Sequence, residues 1–176
     1  GGPGEWLRRR TCDGGPVLGG WARELPAGGL GAGRDARPVW GMAGGGWAAA
    51  AASMIVYLST VVPGLARAER PPGGEWNVEV VAPNADIRCL AADPHAPGTV
   101  FAGTQGGGVL RSDNAGHTFQ PAGLDGLVVK SLAVHPARPG LIYAGTKPPH
   151  LFVSADRGGH WCGLVGFQRV RRFFWF

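Results

Sequence analysis

The chain has 176 residues, of which 32 are Gly and 15 are Pro, and only 16% are charged. That length allows one domain with a tail and excludes a large multidomain enzyme, while the sparse charge excludes a long solvated helix or coiled coil. The net charge is +5, but between Asn77 and Phe167 six basic residues meet six acidic ones. The middle of the chain therefore has no field for a polyanion, and no nucleic-acid partner is expected.

Residues 1–46 contain fifteen Gly and no sustained period of two or 3.6 residues. Such a segment buries too little apolar surface to offset its ordering entropy and is expected to be disordered. From Trp47 to Ala66 no residue is charged; Arg34 and Arg37 precede the run, and Ala66-Arg67-Ala68 closes it. Positive, apolar and small-residue stretches in that order resemble a secretory signal peptide, and the length approaches a membrane span. An Ala-rich helix is the plain alternative. Residues 47–70 are thus read as a signal-peptide-like or membrane-like segment and linker, which implies a secreted, periplasmic or membrane-tethered product. Pro71-Pro72-Gly73-Gly74 then interrupts the chain. From Trp76 onward short apolar runs alternate with Gly, Pro, Asn and Asp clusters, the pattern of short antiparallel strands. Trp76, Val78, Val80 and Val81 read as the last strand of a preceding, degenerate unit.

Two tandem units follow. Moving Leu90 forward by 42 residues reaches Leu132, and the register holds without a gap. Leu90-Ala91-Ala92-Asp93-Pro94 meets Leu132-Ala133-Val134-His135-Pro136, and Val100-Phe101-Ala102-Gly103-Thr104 meets Ile142-Tyr143-Ala144-Gly145-Thr146. Ser112, Asn114, Gly116, Thr118 and Phe119 meet Ser154, Asp156, Gly158, His160 and Trp161. A period of this length with several strands per unit marks a β-propeller. The predicted strands are Ile87–Ala92, Thr99–Gly103, Val109–Ser112 and Thr118–Ala122 in the first unit. In the second they are Val129–Val134, Leu141–Gly145, His150–Ser154 and His160–Val165. The predicted fold is all-β: two four-stranded antiparallel blades (86–126 and 128–167, within 76–167) of an incomplete propeller, with a disordered or partly helical N-terminal segment. Residues 168–176 form a non-repeat tail. Stacked repeats need neighbours to cover each face, so further blades or self-association are expected to complete the ring.

The run Ser154-Ala155-Asp156-Arg157-Gly158-Gly159-His160-Trp161 resembles the Asp-box, or bacterial neuraminidase repeat, with the pattern S-x-D-x-G-x-T-W. His160 stands where the pattern has Thr; in the first copy Asn114 replaces Asp and Phe119 replaces Trp. The units are similar to neuraminidase-type blades of sialidases, sortilin-type receptors, xyloglucan-cleaving glycosidases and the photosystem II assembly factor, over roughly half the chain. The ten motif residues are expected to be structural. Asn114 or Asp156 accepts backbone N–H groups in a tight turn, Gly116 or Gly158 supplies a positive φ, and Phe119 or Trp161 buries its ring, at roughly 2–3 kcal/mol. The resemblance implies that the box lies at the blade periphery, away from any active site.

Chemistry is hard to place. A sialidase site requires an Arg triad, a Tyr–Glu nucleophile pair and an acid Asp, but this region offers one Tyr, Tyr143, and one Glu, Glu79. The Phe-Arg-Ile-Pro motif of that family is absent, and Tyr143 aligns with Phe101 as a strand residue. Glycosidases need two carboxylates at a set separation, whereas Asp86, Asp93 and Asp125 fall in connections and read as turn formers. The five histidines (His95, His117, His135, His150, His160) lack metal-ligand spacing and read as solvated loop residues. Gln105-Gly106-Gly107-Gly108 reads as a hairpin loop. Cys89 aligns with Ser131 as a small core residue, and a Cys89–Cys162 disulfide is possible after export. No catalytic residue, cofactor or metal ligand is assigned. The first functional reading is a non-catalytic propeller module that binds protein or carbohydrate. The alternatives are a fragment of an exo-sialidase or related glycoside hydrolase lacking its catalytic residues, and a photosystem-assembly-like scaffold.

Overall fold

The computed structural model describes residues 53–60 and 63–164. The Gly-rich segment 1–46 and the tail 168–176 lie outside the described residues, as do the expectations made for them. Everything described is strand, turn or loop, arranged as three antiparallel sheets in which neighbours in sequence are neighbours in space.

The first sheet contains β1 (Met54–Ser59), β2 (Leu65–Arg70) and β3 (Asn77–Val81). The stretch read from sequence as an export-type segment and linker thus contributes two strands, and β3 is the final strand of the sheet. Pairing puts Tyr57, Arg67 and Glu79 in one cross-strand row, and Leu58, Ala66 and Val80 in a row on the opposite face. The alternation of strand side chains therefore separates a face with buried Leu65 and Val81 from one with exposed Val78 and Val80.

The second sheet comprises β4 (Ile87–Ala92), β5 (Val100–Thr104), β6 (Val109–Ser112) and β7 (Gln120–Pro121). The third repeats it with β8 (Val128–Val134), β9 (Ile142–Lys147), β10 (Leu151–Ser154) and β11 (Cys162–Gly163). Each is a four-stranded meander, one blade. Bulges fall at matching places, between Ile87 and Cys89 and between Val129 and Ser131. Just beyond each, a small side chain faces a glycine of the next strand: a Cβ on Gly103 would lie 2.5 Å from Cys89 Sγ, and one on Gly145 would lie 2.5 Å from Ser131 Oγ. The Cys89–Ser131 equivalence is therefore steric, since either position accepts only a short side chain.

The last strands are shorter than predicted. The backbone N–H groups of Thr118 and His160 are bonded to turn side chains, which withdraws them from the ladder. Thr99 is likewise held in a turn by its N–H bond to Ala96 O, so β5 starts one residue late. The Cys89–Cys162 disulfide that the sequence left possible is not formed: Cys162 is disulfide-bonded while Cys89 is a free thiol. Burial pushes the Cys89 thiol pKa up, and the thiol points at Val129 O across the blade interface.

Two apolar layers hold the sheets together. Between the blades Phe101, Val109, Leu124, Val129, Ile142, Ala144, Phe152 and Trp161 are buried. Between the first sheet and the first blade lie Leu65, Val81, Ile87 and Ala102, with Tyr57, Leu110 and Phe119 packed at the margin. Burial of each large side chain contributes about 1.5–3 kcal/mol, so the blade–blade layer is the larger source of cohesion.

Candidate functional site

The ten residues singled out from sequence gather in two equivalent turns at one end of the blades. Ser112, buried at the end of β6, accepts the N–H of Gly116 at 2.9 Å and donates its hydroxyl to Asn114 Oδ1 at 2.9 Å. Asn114 Oδ1 also accepts the Thr118 N–H at 3.0 Å, and Asn114 Nδ2 donates to Thr118 Oγ1 at 2.9 Å. In the second turn Ser154 accepts the Gly158 N–H at 2.8 Å and donates to Asp156 Oδ1 at 2.8 Å. Asp156 accepts the His160 N–H at 2.8 Å, and its other oxygen meets His160 Nδ1 at 2.5 Å. Burial works to raise the Asp156 pKa, but the His160 backbone N–H, the His160 ring and the Ser154 hydroxyl outweigh it, and the net shift is downward.

Two successive left-handed residues make each turn. Ala115 (φ 55) precedes Gly116 (φ 81), and Arg157 (φ 57) precedes Gly158 (φ 89). The sequence pattern flags only the glycine; the residue before it carries a cost of about 1–2 kcal/mol. In exchange its N–H reaches the neighbouring connection, Ala115 to Gly98 O at 2.7 Å and Arg157 to Gly140 O at 3.0 Å.

Each turn also grips the preceding sheet. The Trp161 indole N–H donates to Ala122 O at 2.7 Å, and Arg111 of the preceding blade reaches forward across the interface to Arg157 O at 3.3 Å. In the first turn Ala115 O accepts both Tyr57 Oη at 2.8 Å and Arg67 Nε at 2.7 Å. Arg67, flanked by alanines in the sequence and given no role there, is only 2% exposed. Its guanidinium pairs with Glu69 at 2.6 Å and Glu79 at 2.9 Å. Burial alone lowers its pKa, but Glu69 and then Glu79 reverse that and the net shift is upward. The hydrogen bond from Arg67 in turn holds the Glu69 carboxyl below its usual range. Glu79, the lone glutamate of the propeller-like region, also meets His117 Nδ1 at 3.0 Å and so serves this joint.

Between the turns lies a cleft of about 440 Å³ lined by Arg111, Asp113, Asn114, Thr118, Gln120 and Arg157, among others. Arg111 is oriented by Asp113 at 2.7 Å, and Asp113 also accepts the Thr99 hydroxyl at 3.1 Å. Asp93 is more than the turn former expected. Its Oδ1 accepts the His95 N–H at 2.8 Å, while its buried Oδ2 lies 3.4 Å from Arg157 Nε across the blade interface. Neither of those two facing atoms makes a hydrogen bond. They form an ion pair at contact distance rather than a bonded one.

The remaining candidates are dispersed. Asp86 pairs with Arg88 at the surface, Asp125 is exposed, and Tyr143 is half-buried on β9. His150 departs from the solvated-loop expectation: it is buried, with Nδ1 at 3.0 Å from Pro148 O and its ring tilted against Phe152. His95 Nε2 meets His135 O across the blades at 3.2 Å. Among the described residues no three His, Cys, Asp or Glu side chains group as metal ligands, and no helix is long and apolar enough to cross a membrane.

No protein-family model and no curated protein matches the chain. Among solved structures it is similar to an ancestral GH74 enzyme, with TM-score 0.49 and 18% identity, covering 62% of this chain and 16% of that one. A GH74 enzyme of Niastella koreensis gives TM-score 0.47 and 19% identity, covering 63% of this chain and 20% of that one. The chain thus spans a fifth or less of the length of these structures, and at this distance the likeness says nothing of activity.

Proposed function

We propose that the chain is a non-catalytic propeller-type binding module. In this reading the Ser112–Phe119 and Ser154–Trp161 turns clamp the sheets, and the cleft between them receives a polar group of a carbohydrate or protein. The supporting observation is the cleft lining. Arg111 is held in place by Asp113 and by Arg157 O, and Gln120 stands beside it on β7. Prearranged donors and acceptors of this kind bind polar ligands without the cost of ordering them. Among the carboxylates, Asp113 lines the cleft and is engaged by Arg111 and Thr99, whereas glycoside hydrolysis needs two free to act across a bond. Further blades, or self-association, complete the ring.

The second reading, implied by the resemblance, is that these blades form part of a glycoside hydrolase whose catalytic carboxylates lie outside this chain. Binding of immobilised oligosaccharides and peptides, measured with the chain and with Gln120→Ala, tests the first reading. It expects about tenfold weaker binding in the variant, unchanged melting, and no turnover of sialosides or β-glucans above background. Turnover by this chain, or binding indifferent to Gln120, overturns it.

A further inference from the structure

The first sheet repeats the blades in detail that the sequence period does not reveal. Val56-Tyr57-Leu58-Ser59-Thr60 stands 44 residues before Val100-Phe101-Ala102-Gly103-Thr104, which in turn matches Ile142-Tyr143-Ala144-Gly145-Thr146. The threonine closing each run makes the same hairpin bond: Thr60 Oγ1 to Gly64 O at 3.2 Å, Thr104 Oγ1 to Gly108 O at 2.9 Å, and Thr146 Oγ1 to His150 O at 3.5 Å. Tyr57 pairs with Arg67 as Phe101 pairs with Arg111. Both arginines donate forward to the carbonyl at one place in the next turn, Ala115 O and Arg157 O. Even the sequence after the turn survives, Gly73-Gly74-Glu75-Trp76 against Gly158-Gly159-His160-Trp161.

One element of the unit is absent among the described residues. In both blades the Phe101- or Tyr143-bearing strand lies between two neighbours, β5 between β4 and β6 and β9 between β8 and β10. Its counterpart β1 has β2 on one side and, among the described residues, nothing on the other. Met54 and Leu58 on that strand are 51% and 56% exposed. An open strand edge is a template for pairing. Both complete blades specify what belongs there: a strand with an aliphatic residue, a bulge, a Cys or Ser, then Leu-Ala. Residues 1–52 contain neither Ile nor a Leu-Ala pair, and at 44 residues before Ile87 the chain reads Ala43-Gly44-Gly45-Gly46-Trp47-Ala48.

We propose that the β1 edge is a strand-acceptor site, filled by a strand of the β4/β8 kind from outside residues 1–176. By analogy with the pairing of Leu132 with Ala144 and Ala133 with Tyr143, the incoming Leu lies beside Leu58 and the incoming Ala beside Tyr57. Recognition is by main-chain hydrogen bonds, with the alternate side chains setting register. This site is separate from the cleft and does not depend on the binding reading above.

The test uses the full chain and a labelled synthetic peptide of residues 126–135, followed by fluorescence anisotropy. Saturable binding is expected, weakened about tenfold or more when alternate peptide nitrogens are methylated, since each lost main-chain bond weakens pairing. Amide exchange of Met54–Ser59 reports the location: alternate β1 amides exchange freely in the chain alone and become protected with peptide. Absence of saturable binding, equal binding by the methylated peptide, β1 amides already protected in the free chain, or protection appearing at another strand each overturns the proposal.

Discussion

The two turns share a skeleton and differ in how they meet the sheet before them. Both hang on a serine that is 1% exposed, both use two left-handed residues, and both tie back to the preceding connection. The second sends Trp161 into the main apolar layer and anchors its indole on Ala122 O; the first sends Phe119 only to the margin of the smaller layer. It compensates with polar reach, Tyr57 and Arg67 converging on Ala115 O. The motif fixes the turn, while the joint to the neighbour can be built from an aromatic or from an ion-paired guanidinium.

Breaking the aromatic joint has the largest expected effect. Trp161→Ala empties the blade interface and strands the Ala122 carbonyl, costing about 3–5 kcal/mol in urea denaturation. Phe119→Ala, at a partly buried position, costs about 2 kcal/mol. Equal losses would show that the two joints carry the same load. The glycines reverse the ranking. A Cβ at Gly116 would lie 2.4 Å from Tyr57 Cε1, whereas one at Gly158 would lie 3.3 Å from Ala122 Cβ. Both alanine variants incur about 1–2 kcal/mol for the left-handed backbone, and Gly116→Ala adds about 1–3 kcal/mol of overpacking against Tyr57. Truncating Tyr57 in the same chain should recover that second part, which thermal melting of the double variant checks.

The shared skeleton predicts equality. Ser112→Ala and Ser154→Ala each leave a buried glycine N–H without its acceptor, at about 1–3 kcal/mol, and the two melting shifts should agree. Asp156→Ala should cost less than Ser154→Ala, because the Asp156 side chain is 44% exposed and water replaces part of what is lost. The buried serine, rather than the half-exposed carboxylate, is therefore the side chain expected to hold the turn more firmly.

The sequence made the blades legible because their spacing is gapless: Ile87–Ala92 and Val109–Ser112 are strands with those bounds. The first sheet stayed hidden for identifiable reasons. Its interval is 44 residues, its turn is stretched by Pro71-Pro72, and Ala68 stands where the blades have Ser112 and Ser154. An uncharged run ending in Ala-Arg-Ala reads as a processing signal when taken alone. Val56-Tyr57-Leu58-Ser59-Thr60 was the available clue, visible only once the threonine bond gives it meaning. At the candidate site the motif serines and glycines could be read, but Arg67, Arg111 and Arg157 could not, because their role depends on which carbonyl of the neighbouring sheet lies within reach.

The finest difference between the turns is their response to acid. Asn114 is neutral at any pH, whereas the folded-state pKa of Asp156 lies below the unfolded value of about 3.9. A group whose pKa falls on folding contributes stability that is complete above the unfolded value and is lost as pH drops through the folded one. The stability difference between the parent chain and Asp156→Asn should then be flat above about pH 5 and shrink below about pH 4. Asn114→Asp should give the first turn the same acid sensitivity, since Thr118 offers the backbone N–H and hydroxyl that His160 offers as N–H and ring. Urea midpoints for both variants across that range check the pair. A parent-to-Asp156→Asn difference that grows on acidification would mean that the second turn holds its carboxyl in the protonated form, and the two turns would then differ in kind rather than in degree.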